Sequence, residues 1–445
     1  MTSQTIIRDL SGGLVLRRAT SDDAEALADF NSRIHSDWEG EIDPYVGSWT
    51  RDLLLKPHPT FSPGDFTIVQ DTQTGNIVSS MNLISQTWSY EGIPFKVGRP
   101  ELVGTDLAYR NRGLVRAQFD EVHRWSAARG ELVQAITGIP YYYRLFGYEM
   151  TLNLGGGRAG YAPQVPELPE GQSEPYTVRP AVEADIPLLS RLYDQAMQRA
   201  PIHVLRDAAL WRAEISDKSP DNGNRMALCV IENSAGEPVG MLGHPPFRWD
   251  TMLPAQAYEL LPGFSWAAVT PSVVRFLRRA GQEIKPYHGE KPWQSFGFWL
   301  GEAHPVYEVF REHLPRIRKP YAWYIRVPDL PAFIRHIAPA LEKRLADSAL
   351  VGYSGELTIS FYRDGLKLVF ENGRLAVVEP YRPTPVGHAG KALFPGLTFL
   401  QLLFNYRSLD ELRYAFADIG TDNDEIAALL NALFPRKPSD LWPVS

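Results

Sequence analysis

The chain has 445 residues, of which 44% are hydrophobic and 22% charged, and it carries a formal net charge of -7. This composition excludes intrinsic disorder and collagen-like repeats, and the acidic balance disfavours a sequence-independent nucleic-acid binder. The single cysteine, Cys229, excludes an intrachain disulfide and a multi-cysteine zinc site. Because the histidines show no ligand spacing either, we expect no metal cofactor.

Two stretches rich in proline divide the chain. Residues Gly155 to Tyr176 are rich in Gly, Pro and polar residues without a hydrophobic period, which predicts a linker. A softer boundary lies at Arg326 to Phe333. We therefore predict domains at 1–155, 176–327 and 328–445, with a linker at 156–175. No apolar run reaches the roughly 20 residues of a membrane span, and the N-terminus has no apolar signal core, so we expect a cytoplasmic protein without a membrane partner.

The first two segments begin alike. Residues Leu14 to Leu27 and Tyr176 to Leu189 each read as a short strand, a basic residue, an acidic turn and an apolar-periodic helix. This weak duplication predicts tandem copies of one α/β domain. In the second copy, Ser265 to Arg279 is a further strand-to-helix junction, where Thr270 reads as the N-cap and Pro271 as the first helical residue.

The third segment reads as a small α+β domain. A helix is predicted from Pro331 to Ser348, and strands follow around an Asn372-Gly373 pair, which is a strong hairpin signal. Further helices are expected at 398–405, from Ser408, and at 424–433. We find no catalytic cluster in this segment.

The most informative stretch runs from Pro100 to Met150. It predicts a strand at Glu101 to Thr105, a helix at Leu114 to Arg129 closed by Gly130, and a second strand at Leu132 to Thr137. The turn before the helix carries Arg110, Arg112 and Gly113, with Leu114 and Arg116 directly after. Free amide groups and the positive dipole end at a helix N-terminus bind phosphate, and a glycine lets the backbone approach it. We therefore predict a pyrophosphate cradle; the alternative is a solvated run of surface arginines.

This stretch resembles a known family. TDLAYRNRGLVRAQ resembles motif A of the GNAT acyltransferases, which binds the coenzyme A pyrophosphate, although Val115 stands at the last small position. YYYRLFGYE, from Tyr141 to Glu149, resembles their second hallmark. The whole chain is similar to the enhanced-intracellular-survival (Eis) type acetyltransferases, through HPVYEVF, KPYAWYIRV and LLFNYRSLDELRYAF. The resemblance implies two tandem GNAT-fold domains, each a mixed sheet flanked by helices, then a sterol-carrier-protein-like α+β domain, and a homo-oligomer, a hexamer.

The resemblance also implies roles for individual residues. Tyr143, five residues before Tyr148, stands where the family places its general acid; the alternative is a tyrosine packed on the sheet. The carboxylate of Ser445 would be the general base, with Glu101 or a water relay as alternatives. Outside catalysis, the C-terminus would be an ordinary surface tail and Glu101 would form a strand-edge salt bridge. Coenzyme A would be held by backbone groups of the strand and by the cradle, that is by Val103, Thr105, Arg110, Arg112, Gly113, Leu114 and Arg116.

The acceptor side is less defined. Residues His35 to Trp49 join acidic and aromatic side chains, which suits a cationic amine, although a packed surface loop explains them equally well. The second copy has no Arg-x-x-Gly at its junction, so we expect that it does not bind coenzyme A.

We expect an acetyl-CoA-dependent N-acetyltransferase with direct transfer to a primary amine of a small molecule or peptide. The main alternative is a non-catalytic protein that binds coenzyme A or an apolar ligand. A third is an enzyme using another acyl donor or an aminoacyl-tRNA, which the acidic balance disfavours.

Overall fold

The computed structural model describes residues 6–36, 41–384, 390–439 and 441. Its first part has seven strands and three helices: β1 Ile6–Leu10, β2 Leu14–Arg18, α1 Ala24–Ile34, α2 Pro44–Leu55, β3 Phe66–Asp71, β4 Ile77–Tyr90, β5 Ile93–Thr105, α3 Leu114–Ala128, β6 Val133–Ile136 and β7 Glu149–Leu154. The helix and both strands predicted between residues 100 and 137 are confirmed, and β5 begins earlier than expected.

The second part contains ten strands and four helices. They are β8 Gly157–Tyr161, β9 Tyr176–Pro180, α4 Ile186–Met197, β10 Ile202–Val204, α5 Ala208–Arg212, β11 Ala227–Asn233, β12 Pro238–His244, β13 Met252–Ala255, β14 Ala257–Leu260, α6 Trp266–Glu283, β15 Ser295–Phe298, α7 Val306–Val309, β16 Arg316–Arg318 and β17 Tyr321–Arg326. They form two four-stranded sheets, β14-β12-β11-β9 and β13-β15-β8-β16, apart from β10 and β17.

The sheet of the first part is mixed and includes strands from the second. Its order is β1-β2-β3-β4-β5-β6-β17-β7, and β10 pairs with the end of β4. Strand β17 thus lies between β6 and β7, so the first two parts share one sheet. The neighbouring β5 and β6 pair in parallel only at Val97–Val133 and Gly98–Gln134. Beyond these pairs β5 continues along β4 and β6 continues along β17, and a cleft opens between them.

The predicted linker contains a strand. Strand β8 pairs with β15 and β16, so the expectation of a structureless connection is wrong for these residues. Their glycines serve close packing, because a Cβ at Gly157 would lie 2.0 Å from the Phe298 carbonyl oxygen. A glycine-rich sequence without a period resembles a linker although the backbone is packed.

The duplication is visible in matching ion pairs. Arg17 of β2 donates through Nη1 and Nη2 to the carboxylate of Asp23, and Arg179 of β9 donates to Asp185 in the same way. The predicted start of α6 is wrong: Ser265 is its N-cap, so the helix begins one turn earlier and Pro271 lies inside it.

The third part contains four helices and a five-stranded sheet. Its elements are α8 Leu330–Ala346, β18 Gly355–Ser360, β19 Gly365–Glu371, β20 Arg374–Tyr381, β21 Ala392–Leu393, α9 Phe399–Leu403, α10 Leu409–Ala415, β22 Gly420–Thr421 and α11 Asp424–Leu433. The hairpin at Asn372 and Gly373 is confirmed, with both residues at positive φ (49° and 79°). One hydrophobic core runs from Trp88 and Trp323 of the shared sheet through α8 to α11. Within the described part of the chain, no helix is long and apolar enough to cross a bilayer.

Candidate active site

A cleft of about 700 Å³ lies where β5 and β6 diverge. Its walls are the C-terminal end of α1, one face of α2, the end of β5, the start of α3 and residues 136–146. The diverging strands leave backbone groups without a neighbouring strand, which is the arrangement that accommodates an extended ligand as an added strand.

The N-terminus of α3 closes one end of the cleft. Gly113 is its N-cap and has φ 75°, in the left-handed region that favours glycine. No side chain caps this helix, so its first amide groups have no side-chain acceptor. A Cβ at Gly113 would meet nothing within 4 Å, so the space in front of these amides is open. The arrangement suits an anion, as the sequence predicts.

The three predicted arginines surround this helix start. Arg110 lies 3.5 Å (Nε) from the Thr105 carbonyl oxygen, and Arg116 stacks on the Phe146 ring at 5.1 Å. Arg112 donates to the Ala108 carbonyl and lies beside the cleft rather than in its wall. No carboxylate among the described residues forms an ion pair with any of the three. They therefore concentrate positive charge at the helix start, although Arg112 also interacts with the Asp71 carboxylate.

Strand β5 carries a bulge where it faces the cleft. Ser80 pairs with Gly104 and Asn82 with Glu101, so a single β4 residue opposes both Leu102 and Val103. Leu102 has φ 51°, and such a bulge interrupts the ladder of backbone hydrogen bonds. Val103 and Thr105 line the cleft, as the sequence predicts for the residues beside the ligand.

Tyr143 lies in the wall of the cleft opposite β5. Its ring packs against Phe119 and Tyr324, with centroids 6.1 and 5.5 Å away. Its hydroxyl has no hydrogen-bond partner among the described residues. Burial, and next the nearby Glu101 carboxylate, raise the pKa of the Tyr143 hydroxyl, so it keeps its proton at neutral pH. A protonated hydroxyl in the cleft can donate a proton to a leaving group.

Glu101 is buried at the start of the bulge. Its carboxylate pairs with Arg99, whose side chain is fully buried. Burial raises the pKa of the Glu101 carboxyl, although Arg99 acts in the opposite direction. Both residues lie on β5, two positions apart and therefore on one face, so Glu101 forms the salt bridge that the sequence gives as its alternative role. The other predicted base, Ser445, lies outside the described residues.

Helices α1 and α2 form one wall of the cleft. His35 and Trp49, the two ends of the segment predicted to meet an amine, both line it, whereas residues 37–40 lie outside the described residues. His35 Nε2 and Trp49 Nε1 are buried without a hydrogen-bond partner in the part of the chain described. Burial lowers the pKa of the His35 imidazole, so the ring is neutral at pH 7.

Helix α2 is held by a loop of the second part. The carboxylate of Asp52 accepts hydrogen bonds from the Ser219 amide (2.7 Å), the Ser219 hydroxyl (2.7 Å) and the Asn222 amide (2.8 Å). Ser48 donates to Asp221 at 2.8 Å. The second part therefore fixes the helix that carries Trp49, a contact between distant segments that no local pattern indicates.

The corresponding junction of the second copy differs. The side chain of Ser265 caps α6 by accepting from Ala268, whereas α3 has no such cap. No group of three or more metal-binding side chains occurs in the described ranges.

Comparisons with known proteins agree with this geometry. Residues 16–151 match the family of the acetyltransferase (GNAT) domain. No curated protein matches the chain. Among solved structures, a GCN5-related N-acetyltransferase from Kribbella flavida is similar with a TM-score of 0.64 at 16% identity, covering 97% of this chain and 98% of its own. One from Anabaena variabilis ATCC 29413 gives 0.59 at 14% identity, covering 96% and 99%. A conserved protein of unknown function from Enterococcus faecalis V583 gives 0.62 at 13%, covering 96% and 97%. The chain therefore contains a GNAT acetyltransferase domain, and the protein is an acetyltransferase enzyme.

Proposed function

We propose that the protein transfers an acetyl group from acetyl-CoA directly to a primary amine of a small molecule or peptide. The observation that carries this proposal is that an uncapped, glycine-started helix and a protonated tyrosine, Tyr143, face one cleft inside the GNAT domain. The first supplies a site for a pyrophosphate and the second a proton for a thiolate.

The residues present fit acetyl-CoA as the co-substrate. The amides that follow Gly113, together with Arg110 and Arg116, would hold the pyrophosphate, with Arg112 adding charge beside them. Leu114 is buried and anchors the first turn of the helix. The bulged backbone at Val103 and the end of β5 at Thr105 would pair with the pantetheine arm.

Direct transfer requires a neutral amine and a proton for the leaving thiolate. We propose Tyr143 as the acid, since its hydroxyl is protonated at neutral pH and lies in the wall of the cleft. We propose Glu101 as a base, since its buried carboxyl faces the same cleft and has a raised pKa. The resemblance makes the carboxylate of Ser445 the rival base. A Glu101→Gln variant separates the two: turnover lost with acetyl-CoA binding retained supports Glu101, and retained turnover supports Ser445.

The remaining proposals have different grounds. The resemblance to Eis-type proteins supports a sterol-carrier-protein-like third domain and a hexamer. The missing Arg-x-x-Gly supports a second GNAT-like copy that does not bind coenzyme A. The acidic balance and the lack of a long apolar run in the sequence support a cytoplasmic protein without nucleic-acid or membrane partners. The strand and helix pattern of the third part supports the domain proposal, and its cavity of about 600 Å³ beside Phe361 and Phe399 keeps open a role in binding an apolar ligand. Sedimentation of the full chain tests the hexamer.

The decisive experiment is turnover of acetyl-CoA with a panel of primary amines, for the wild type and for Tyr143→Phe. We expect kcat to fall by about 10²- to 10⁴-fold in the variant, since that is the usual contribution of a general acid, with the Kd of acetyl-CoA unchanged. Unchanged turnover would refute the assignment of Tyr143. A wild type that binds acetyl-CoA but acetylates no amine would favour the non-catalytic alternative.

A further inference from the structure

The second copy contains its own cavity, beside its first helix α4. The strand equivalent to β5 is broken into β13 and β14, which join different sheets, and a cavity of about 100 Å³ lies between β14, α4 and the residues after β15. Pro438 and Ser439 of the third part lie at its edge. Its apolar walls include Met197, Trp211 and Met241.

Two nitrogen donors in the wall of this cavity have no acceptor. The indole Nε1 of Trp211 is buried without a hydrogen-bond partner among the described residues, and the whole side chain is 1% exposed. The Nε of Arg206 is also buried without a hydrogen-bond partner among the described residues. The guanidinium of Arg206 lies 4.9 Å from the ring centroids of both Tyr193 and Trp211, so stacking holds it in place. A buried donor without an acceptor is destabilising, and a ligand with an acceptor relieves that cost.

The charges around the cavity identify the ligand class. Arg199 is paired with the buried Glu259, and Glu302, the carboxylate in the lining, is paired with Arg436 at 3.4 Å. Arg206, by contrast, has no ion pair to any described residue. The guanidinium of Arg206 therefore favours an anionic ligand group, and the thioether and aromatic walls favour an apolar group on the same ligand.

We propose that this cavity binds a short-chain carboxylate, with the carboxylate at Arg206 and Trp211 and the aliphatic chain among the methionines. An engineered apolar cavity of about 150 Å³ holds benzene, so a cavity of about 100 Å³ takes an aliphatic chain of about four carbon atoms beside the carboxylate. The proposal concerns binding alone and does not depend on the acetyl-transfer proposal.

Isovalerate is the probe, and isothermal titration with the full chain is the measurement. We expect one isovalerate site per chain that saturating acetyl-CoA leaves unchanged. Arg206→Gln should weaken binding by at least about tenfold, the usual effect of losing a charged hydrogen bond. Arg212→Gln, which removes an exposed arginine from the same helix region, is the matched control and should bind as the wild type does. The neutral isostere 3-methylbutan-1-ol should bind more weakly than isovalerate.

A second variant tests the site independently in case Arg206→Gln does not fold. Ala196→Leu adds volume to the cavity wall from α4 and should abolish isovalerate binding while acetyl-CoA still binds. Absence of isovalerate binding at 10 mM to the wild type, or equal affinity in Arg206→Gln, would overturn the proposal. Competition by acetyl-CoA would also overturn it, because the probe would then occupy the catalytic cleft.

Discussion

Replacing Gly113 by glutamate tests the cradle at its most exposed point. A Cβ there meets nothing within 4 Å, so the added side chain enters the open space in front of the first amides of α3. Because the residue has φ 75°, any L side chain adds backbone strain of about 1–2 kcal/mol. Gly113→Ala has the same strain without the charge and is therefore the matched control.

The magnitude follows from Coulomb's law. A carboxylate about 5 Å from a phosphate charge, at an effective dielectric constant of about 20, is repelled by about 3 kcal/mol per unit charge. That energy weakens binding by about two orders of magnitude, since about 1.4 kcal/mol corresponds to a factor of ten in Kd. Isothermal titration of acetyl-CoA should therefore give one site in the wild type, a similar or slightly weaker Kd in Gly113→Ala, and at least a hundredfold weaker Kd in Gly113→Glu.

The result that would refute this reasoning is equal affinity in the two variants. The pyrophosphate would then lie away from α3, and the arginines would be an ordinary solvated cluster. Two acetyl-CoA sites per wild-type chain would instead refute the expectation that the second copy does not bind coenzyme A.

Three further predictions follow from particular contacts. In Gly138→Ala, the new Cβ would lie 2.4 Å from the ring of Tyr143, so kcat should fall while stability drops by about 1–3 kcal/mol; unchanged kcat in steady-state assays would contradict the role of that ring. In Asp52→Ala, the donors of Ser219 and Asn222 lose their acceptor, so we expect about 1–3 kcal/mol lower stability by urea denaturation. We also expect a larger rise in KM for the amine than for acetyl-CoA, and equal rises would show that α2 does not form the wall that meets the amine. Burial, and next the charge of Arg326, lower the pKa of His123 to about 3, below its unfolded value of about 6.5, so its contribution to stability is complete above pH 6.5 and is lost as the pH falls toward 3. The wild type should therefore lose about 1.4 kcal/mol per pH unit more than His123→Gln between pH 6 and 4, and parallel slopes would contradict the buried neutral ring.

Part of the site could be predicted from local sequence because local chemistry determines it. The start of α3 depends on a glycine in the left-handed conformation and on the periodic apolar residues after it, and these are neighbours in the chain. The hairpin at Asn372 and Gly373 depends on two residues that accept positive φ. The duplicated start of the two copies is visible because each keeps a basic residue and an aspartate six positions later.

Other features depend on contacts between distant segments. The sequence predicts that α6 starts at Pro271, because Thr270 and Pro271 are typical of an N-cap and a first helical residue. In the structure the Ser265 side chain caps the helix one turn earlier. The sequence predicts a linker where β8 lies, because glycines are typical of flexible connections; in the structure these glycines allow close backbone packing. Neither error could be removed without knowing what each segment packs against.

The sequence by itself determined the secondary structure around the cradle, the repeat of one α/β unit and the candidate residues for a pyrophosphate site, since propensity, capping and charge act over a few residues. Only the tertiary structure decided that β17 enters the first sheet between β6 and β7, and that a loop of the second part holds α2 through Asp52. These arrangements are set by burial and hydrogen bonding between segments up to 192 residues apart, as for Arg326 and Gln134 across paired strands. Sequence spacing does not indicate such pairings, because the free energy that stabilises them arises only when the core is packed.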